Sequence, residues 1–126
     1  RGVDIFKLKP SEHLSANELA AAEAVKWNLF NAQHQPKMTW APSVLVARAY
    51  LDQVTRAKAL PPAQAAAVKN AIDRAERARS AGDKRKAAEA LDRAAAQLAS
   101  VQTDAKIGPR VKALADTLTG IGASLR

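Results

Sequence analysis

Residues 62–101, PAQAAAVKNAIDRAERARSAGDKRKAAEALDRAAAQLASV, decide how the whole chain reads. Alanine recurs through them at helical spacing, and 30 of the 126 residues are alanine, most of them between Pro42 and Ser100. Alanine forms helix most readily because it gives up no side-chain rotamers and buries no polar group. Pro62 suits a helix start, and the larger apolar residues Val68 and Ile72, with Ala65 and Ala75, form one seam to about Ser80. Ser80-Ala81-Gly82-Asp83 then punctuates the pattern. Gly82 suits the left-handed position after a helix, and Asp83 is placed to cap the next one. Ala87, Leu91, Ala94, Leu98 and Val101 resume the seam. The stretch is therefore two helices joined by a tight turn.

Working outward, the same rhythm appears on both sides. Gly108-Pro109 restarts a helix whose Val111, Leu114, Leu118, Ile121 and Leu125 keep a heptad spacing, with Gly120 and Gly122 expected to fray its end. Upstream, Pro42 is placed for the first turn of a helix running to about Lys58, with Val44, Ala47, Leu51 and Val54 as its seam and Leu45 and Tyr50 beside it. Leu60-Pro61-Pro62 closes that helix. Further back, Leu14-Ser15-Ala16-Asn17-Glu18-Leu19 contains a capping box, Ser15 with Glu18, flanked by the Leu14–Leu19 hydrophobic staple. This sets a helix start at Ser15, with Leu19, Ala22, Lys26 and Phe30 on one face, ending before Pro36. The expectation is an all-α fold: an up-and-down bundle of four to five helices over 15–126, preceded by an extended arm over 1–14. Val44, Leu51, Val54, Val68, Ile72, Leu91, Leu98, Leu114 and Leu118 should form its core. No internal repeat is present.

Composition limits the chemistry. One domain's worth of residues contains 30 large apolar side chains, so the core is modest. There is no cysteine, which excludes disulfides and thiolate metal sites. No stretch reaches the roughly 20 apolar residues of a membrane span. His13 and His34 are 21 residues apart. A helix between them would separate them by roughly 25 Å, too far to share a metal. Asp73 with Arg77 and Glu89 with Arg93 have i,i+4 spacing and read as surface pairs. No phosphate-cradling glycine loop, nucleophile elbow or zinc-protease motif occurs. Neither catalysis nor a cofactor is expected.

Two clusters remain as candidate binding surfaces. The formal charge is +8, with fifteen basic against eight acidic residues over 43–126. Arg74, Arg77, Arg79, Lys84, Arg85 and Lys86 gather around the Gly82 turn. They are either a solvated surface or a site for an anionic polymer such as nucleic acid, anionic lipid or glycan. Trp27, Phe30, Met38, Trp40 and Tyr50 are the aromatic concentration. They should pack the first helix onto the bundle, Trp27 and Trp40 in one cluster, with part left exposed as a docking face.

The arm reads RGVDIFKLK. Val3, Ile5, Phe6 and Leu8 approximate a strand stopped by Pro10, and a lone strand needs a neighbour; the alternative is a disordered leader. The segment 1–25 resembles the C-terminal exit of secreted bacterial LVIVD-repeat β-propeller proteins. There a Gly-hydrophobic-Asp-hydrophobic strand closes the last blade, and Gly2-Val3-Asp4-Ile5-Phe6 would be that strand. Residues 48–98 are similar to helical accessory modules of bacterial secreted hydrolases in Leu60, the Gly82-Asp83 turn, Ala87, Leu91 and Leu98, and depart from them at Pro61-Pro62. The resemblances imply a non-catalytic, extracytoplasmic (periplasmic or secreted) C-terminal domain whose partner is an upstream domain or another protein chain. The chain opens on arginine in place of methionine, which is expected of a piece of a longer protein.

Overall fold

The computed structural model describes residues 2–25 and 39–126, and within them the chain is all-α. It contains α1 (Ala16–Glu23), α2 (Val44–Arg56), α3 (Pro62–Ala81), α4 (Lys84–Ala99) and α5 (Gly108–Leu125). Helices α2 to α5 stand in a ring. Each packs on its sequence neighbours, α5 returns to close against α2, and α4–α5 is the most extensive interface. α1 touches α2 alone among the helices. The first half of α2 meets the second half of α3 through Arg48 and Asp73, and early α4 meets late α5 at Ala88 and Gly122. The short connections thus make antiparallel neighbours, as expected for an up-and-down bundle.

All nine expected core residues are buried, and Val54, Val68, Ile72, Leu91, Leu98, Leu114 and Leu118 are almost wholly so. Alanines fill the gaps between them. Ala47, Ala75 and Ala87 have no exposed surface, because a methyl is all that fits where two backbones approach closely. A second, smaller core lies on the other side of α2, where Val46 and Ala49 meet Ala21. α2 is thus apolar on two faces.

The helix ends show how far local rules reach. Ser15 and Glu18 form the capping box in full. Gly82 is left-handed at φ 87°, as the turn requires, while Asp83 stands at the N-cap without a side-chain capping bond. Pro42 is not in the first turn of α2: Ser43 caps it, its Oγ accepting the Val46 N–H at 3.3 Å. α2 closes in a Schellman arrangement, with Lys58 N–H bonded to Thr55 O and Ala59 N–H to Val54 O, both at 3.0 Å. Lys58 occupies the left-handed position at φ 54° that glycine usually takes. Before α5, Asp104 Oδ1 accepts the Lys106 and Ile107 amides at 2.9 and 3.0 Å.

The expected fraying at Gly120 and Gly122 does not occur, since α5 continues to Leu125. Both glycines are contact points. A Cβ on Gly120 would lie 2.5 Å from Cγ of Pro42, so the proline ring occupies the space a side chain would take. A Cβ on Gly122 would sit 3.5 Å from the Ala88 carbonyl of α4. Tertiary packing holds the helix where propensity alone would release it.

α1 also differs from its reading. Its inward face is Glu18 and Ala21, whereas Ala22 is exposed and Leu19 half-buried. The reason is polar: Asn17 and Glu18 find partners on α2, as described below. Residues 2–10 form neither helix nor strand, and Ser11 and Leu14 close a small turn by backbone bonds.

Candidate functional site

Among the described residues, three of the places that combine accessible space with polar or aromatic chemistry involve the aromatic and basic clusters. The first lies between α1 and α2. Trp40 reaches back to α1 and donates from Nε1 to the Ala21 carbonyl at 3.0 Å. With Tyr50 it packs against the small core of Ala21, Val46 and Ala49, beside a cavity of about 220 Å³ bordered by Leu14, Glu18 and Gln53. Trp40 and Tyr50 therefore share the cluster that anchors α1. Trp27, Phe30 and Met38, the other three aromatic-cluster residues, lie outside the described residues, and His34 with them.

Glu18 does most to hold this junction. Its side chain is 7 % exposed and serves two partners at once. Oε2 accepts the Ser15 N–H at 2.7 Å and an Arg56 guanidinium N–H, and Oε1 accepts a second Arg56 N–H at 3.3 Å. Burial is the largest single influence on Glu18 and acts against its charge. Arg56, the Ser15 amide and Gln53 together prevail and hold the carboxyl at about 2, below its ordinary 4.5. Asn17 adds a bond from Nδ2 to Asp52 at 2.9 Å. The capping box was legible in sequence; the Arg56 partner, 38 residues away, was not.

The second place is the basic turn. The six residues read as one cluster separate once the helices form. Lys84 and Arg85 border a space beside Glu89, Leu125 and Arg126. Arg85 Nε bonds Glu89 at 3.3 Å, and Lys86 lies 3.8 Å from Asp83. Arg79 is exposed in the last turn of α3. Arg74 and Arg77 instead belong to a groove between α3 and α4.

That groove is the third place. Ala67, Ala71, Ala90 and Ala94 make its floor, and Asn70, Arg74, Arg77, Arg93 and Gln97 rise around it, enclosing about 510 Å³. The acidic residues expected to pair with Arg77 and Arg93 do not. Asp73 turns to α2 and to the preceding turn, accepting from Arg48 at 3.0 Å and Lys69 at 2.8 Å. Lys69 and Arg48 hold its carboxyl below the usual range. Glu76 is also drawn to Arg48, at 2.6 Å, and Glu89 to Arg85. Arg93 Nε donates to the Glu89 backbone carbonyl at 3.3 Å, which fixes its guanidinium while leaving the outer nitrogens free.

Among the described residues, no three His, Asp or Glu side chains gather to hold a metal, and no helix is long and apolar enough to cross a membrane. Comparison with protein-family models, curated proteins and solved structures finds no match to this chain.

Proposed function

We propose that the chain is a non-catalytic helical interaction domain, part of a larger extracytoplasmic bacterial protein, that docks through its N-terminal arm onto a neighbouring folded domain. The observation that carries this reading is the exposure of four large apolar side chains within six residues: Val3 90 %, Ile5 92 %, Phe6 86 % and Leu8 69 %. Contiguous exposed apolar surface of this kind marks interaction sites in soluble proteins. The energetics favour one docking mode. Fixing the backbone of nine residues costs on the order of 10 kcal/mol. Burying four such side chains contributes about 6–12 kcal/mol, roughly offsetting that cost. A stable dock therefore also bonds the arm's backbone, as a strand added to a sheet edge does. The resemblance of Gly2-Val3-Asp4-Ile5-Phe6 to a blade-closing strand agrees with this mode and supplies the extracytoplasmic setting.

A photocrosslinking residue placed at Ile5 in the gene product, expressed in its own cells, tests the reading. Peptide mapping should find Ile5 joined to one site on a folded domain, in the same polypeptide or another chain. Thr119, exposed on α5, serves as the reference position. An Ile5 product no more abundant or specific than that from Thr119 overturns the proposal.

A further inference from the structure

The α3–α4 groove has a charge arrangement that the bundle does not need for its own stability. Arg77 lies four residues after Asp73, and Arg93 four after Glu89, the favoured order for helical ion pairs. In the folded chain both acids are engaged elsewhere, Asp73 by Arg48 and Lys69, Glu89 by Arg85. Arg77 and Arg93 are thereby released onto the same groove from opposite walls, joined by Arg74 one turn from Arg77. Among the described residues no carboxylate lies within ion-pair distance of these three, whereas Arg48 has two and Arg56, Arg85 and Arg126 have one each. Arg79 and Arg110 are also without one, but neither borders the groove. Like charges gathered without counter-charge raise the energy of the folded chain, and an anion in the groove relieves it.

We propose that this groove binds an oligophosphate, a ligand in which two or more phosphate groups are linked in a row. The guanidinium fork matches phosphate oxygens two at a time. Arg74 and Arg77 follow one another by about 4.5 Å along the α3 axis, and Arg93 faces them, so consecutive phosphates can be gripped from both sides. Asn70 and Gln97 extend the walls with neutral amide donors toward the other end. The alanine floor lets a thin chain lie close to both helices. No aromatic side chain borders the groove, so it has no platform on which a nucleobase could stack, and its chemistry is addressed to phosphate.

Calorimetric titration of sodium tripolyphosphate at about 50 mM salt tests the proposal on three proteins: wild type, Arg77→Gln/Arg93→Gln, and Lys106→Gln/Arg110→Gln. The last loses the same two charges from exposed positions outside the groove. Circular dichroism verifies that all three fold, and Arg74→Gln provides a second, single-charge groove variant. The groove double variant should bind about tenfold more weakly or worse, Arg74→Gln should also weaken, and the Lys106/Arg110 protein should match wild type. ATP competing with tripolyphosphate would assign a nucleoside triphosphate as a usable source of the chain; binding of tripolyphosphate without ATP competition would assign the bare phosphate chain. The proposal is overturned by absence of wild-type binding, or by equal loss in both double variants. Orthophosphate binding as tightly as tripolyphosphate, or duplex DNA binding tighter and in a groove-dependent way, overturns it too.

Discussion

The ring of α2 to α5 and the attachment of α1 are held by different physics. Inside the ring, Ile72, Leu91, Leu114 and Leu118 are completely buried among alanines, and among the described residues no charged side chain is buried with them. At the α1 junction the apolar contribution is small: Ala21, Val46 and Ala49, with Trp40 and Tyr50 beside them. Direction comes instead from Glu18 on Arg56, Asn17 on Asp52, and Trp40 on the Ala21 carbonyl. Non-directional burial makes the ring cooperative, whereas a few oriented polar bonds make α1 a separable element. The comparison predicts that ring mutations act globally and junction mutations locally.

The largest expected effect tests the ring. Leu91→Ala removes a side chain with no exposed surface and should cost about 3 kcal/mol, lowering the Tm by roughly 10–20 °C. Hydrogen exchange should accelerate in α2 to α5 together. If only α4 and α5 accelerate, the ring is not one cooperative unit.

Glu18→Gln addresses the junction. It removes the charge paired with Arg56 and should weaken α1 docking by about 2 kcal/mol. Amide exchange should speed up over 16–24 while the unfolding midpoint of the ring stays in place. The pH dependence has a definite sign. Because the Glu18 carboxyl in the folded chain is held at about 2 against an ordinary 4.5, its contribution is complete above pH 4.5 and is lost as pH falls toward 2. Wild-type α1 should therefore release within that acid window, and Glu18→Gln should show no such step. A release of α1 with the same pH profile in both proteins would assign the acid sensitivity to other carboxylates.

The two glycines of α5 come next, since they set how closely the ring closes. Gly120→Ala places a methyl into the Pro42 ring, and a proline cannot rotate away, so a net loss of about 1–2 kcal/mol is expected even after the gain in helix propensity. Gly122→Ala meets Asp92 Oδ1 at 3.2 Å, the end of a side chain that can turn, and the Ala88 carbonyl at 3.5 Å. Here the propensity gain of about 1 kcal/mol should leave stability equal or higher. Thermal denaturation of the pair decides. Equal effects would mean that Pro42 does not brace α5.

These cases show where local sequence carries the structure and where it does not. The seams of α2 to α5 were legible because Leu, Ile and Val recur at helical spacing, and the 82–83 turn because only glycine adopts its conformation easily. The capping box was legible for the same local reason. Partners chosen across helices were not. Asp73 sits correctly for Arg77, yet Arg48 of α2, 25 residues away, wins it. Within α4, two local partners compete for Glu89, and Arg85 of the preceding turn takes it instead of Arg93. Residues 74–86 are one cluster along the chain and several in space, because successive helical positions point about 100° apart. Gly120 looked like a helix breaker because its contact, Pro42, lies 78 positions earlier.

The smallest effect concerns a single backbone angle at the edge of the ring. Lys58 holds the left-handed position that completes the α2 Schellman bonds, and its Cβ makes that conformation unfavourable by about 1 kcal/mol. Glycine there avoids the steric cost but loosens the unfolded chain, an opposing term of similar kind. The Schellman geometry should favour the glycine, giving Lys58→Gly a gain of about 0.5 kcal/mol in denaturant unfolding with an unchanged m value. Because α1 docks on α2 through Arg56, two residues earlier, the comparison sharpens at this point. A steadier α2 terminus should slow exchange of the Ala59 amide, whose bond to Val54 closes the motif, without altering exchange over 16–24. Slower exchange in α1 as well would mean that the end of α2 limits its docking, and that junction and ring are less separate than their chemistry implies.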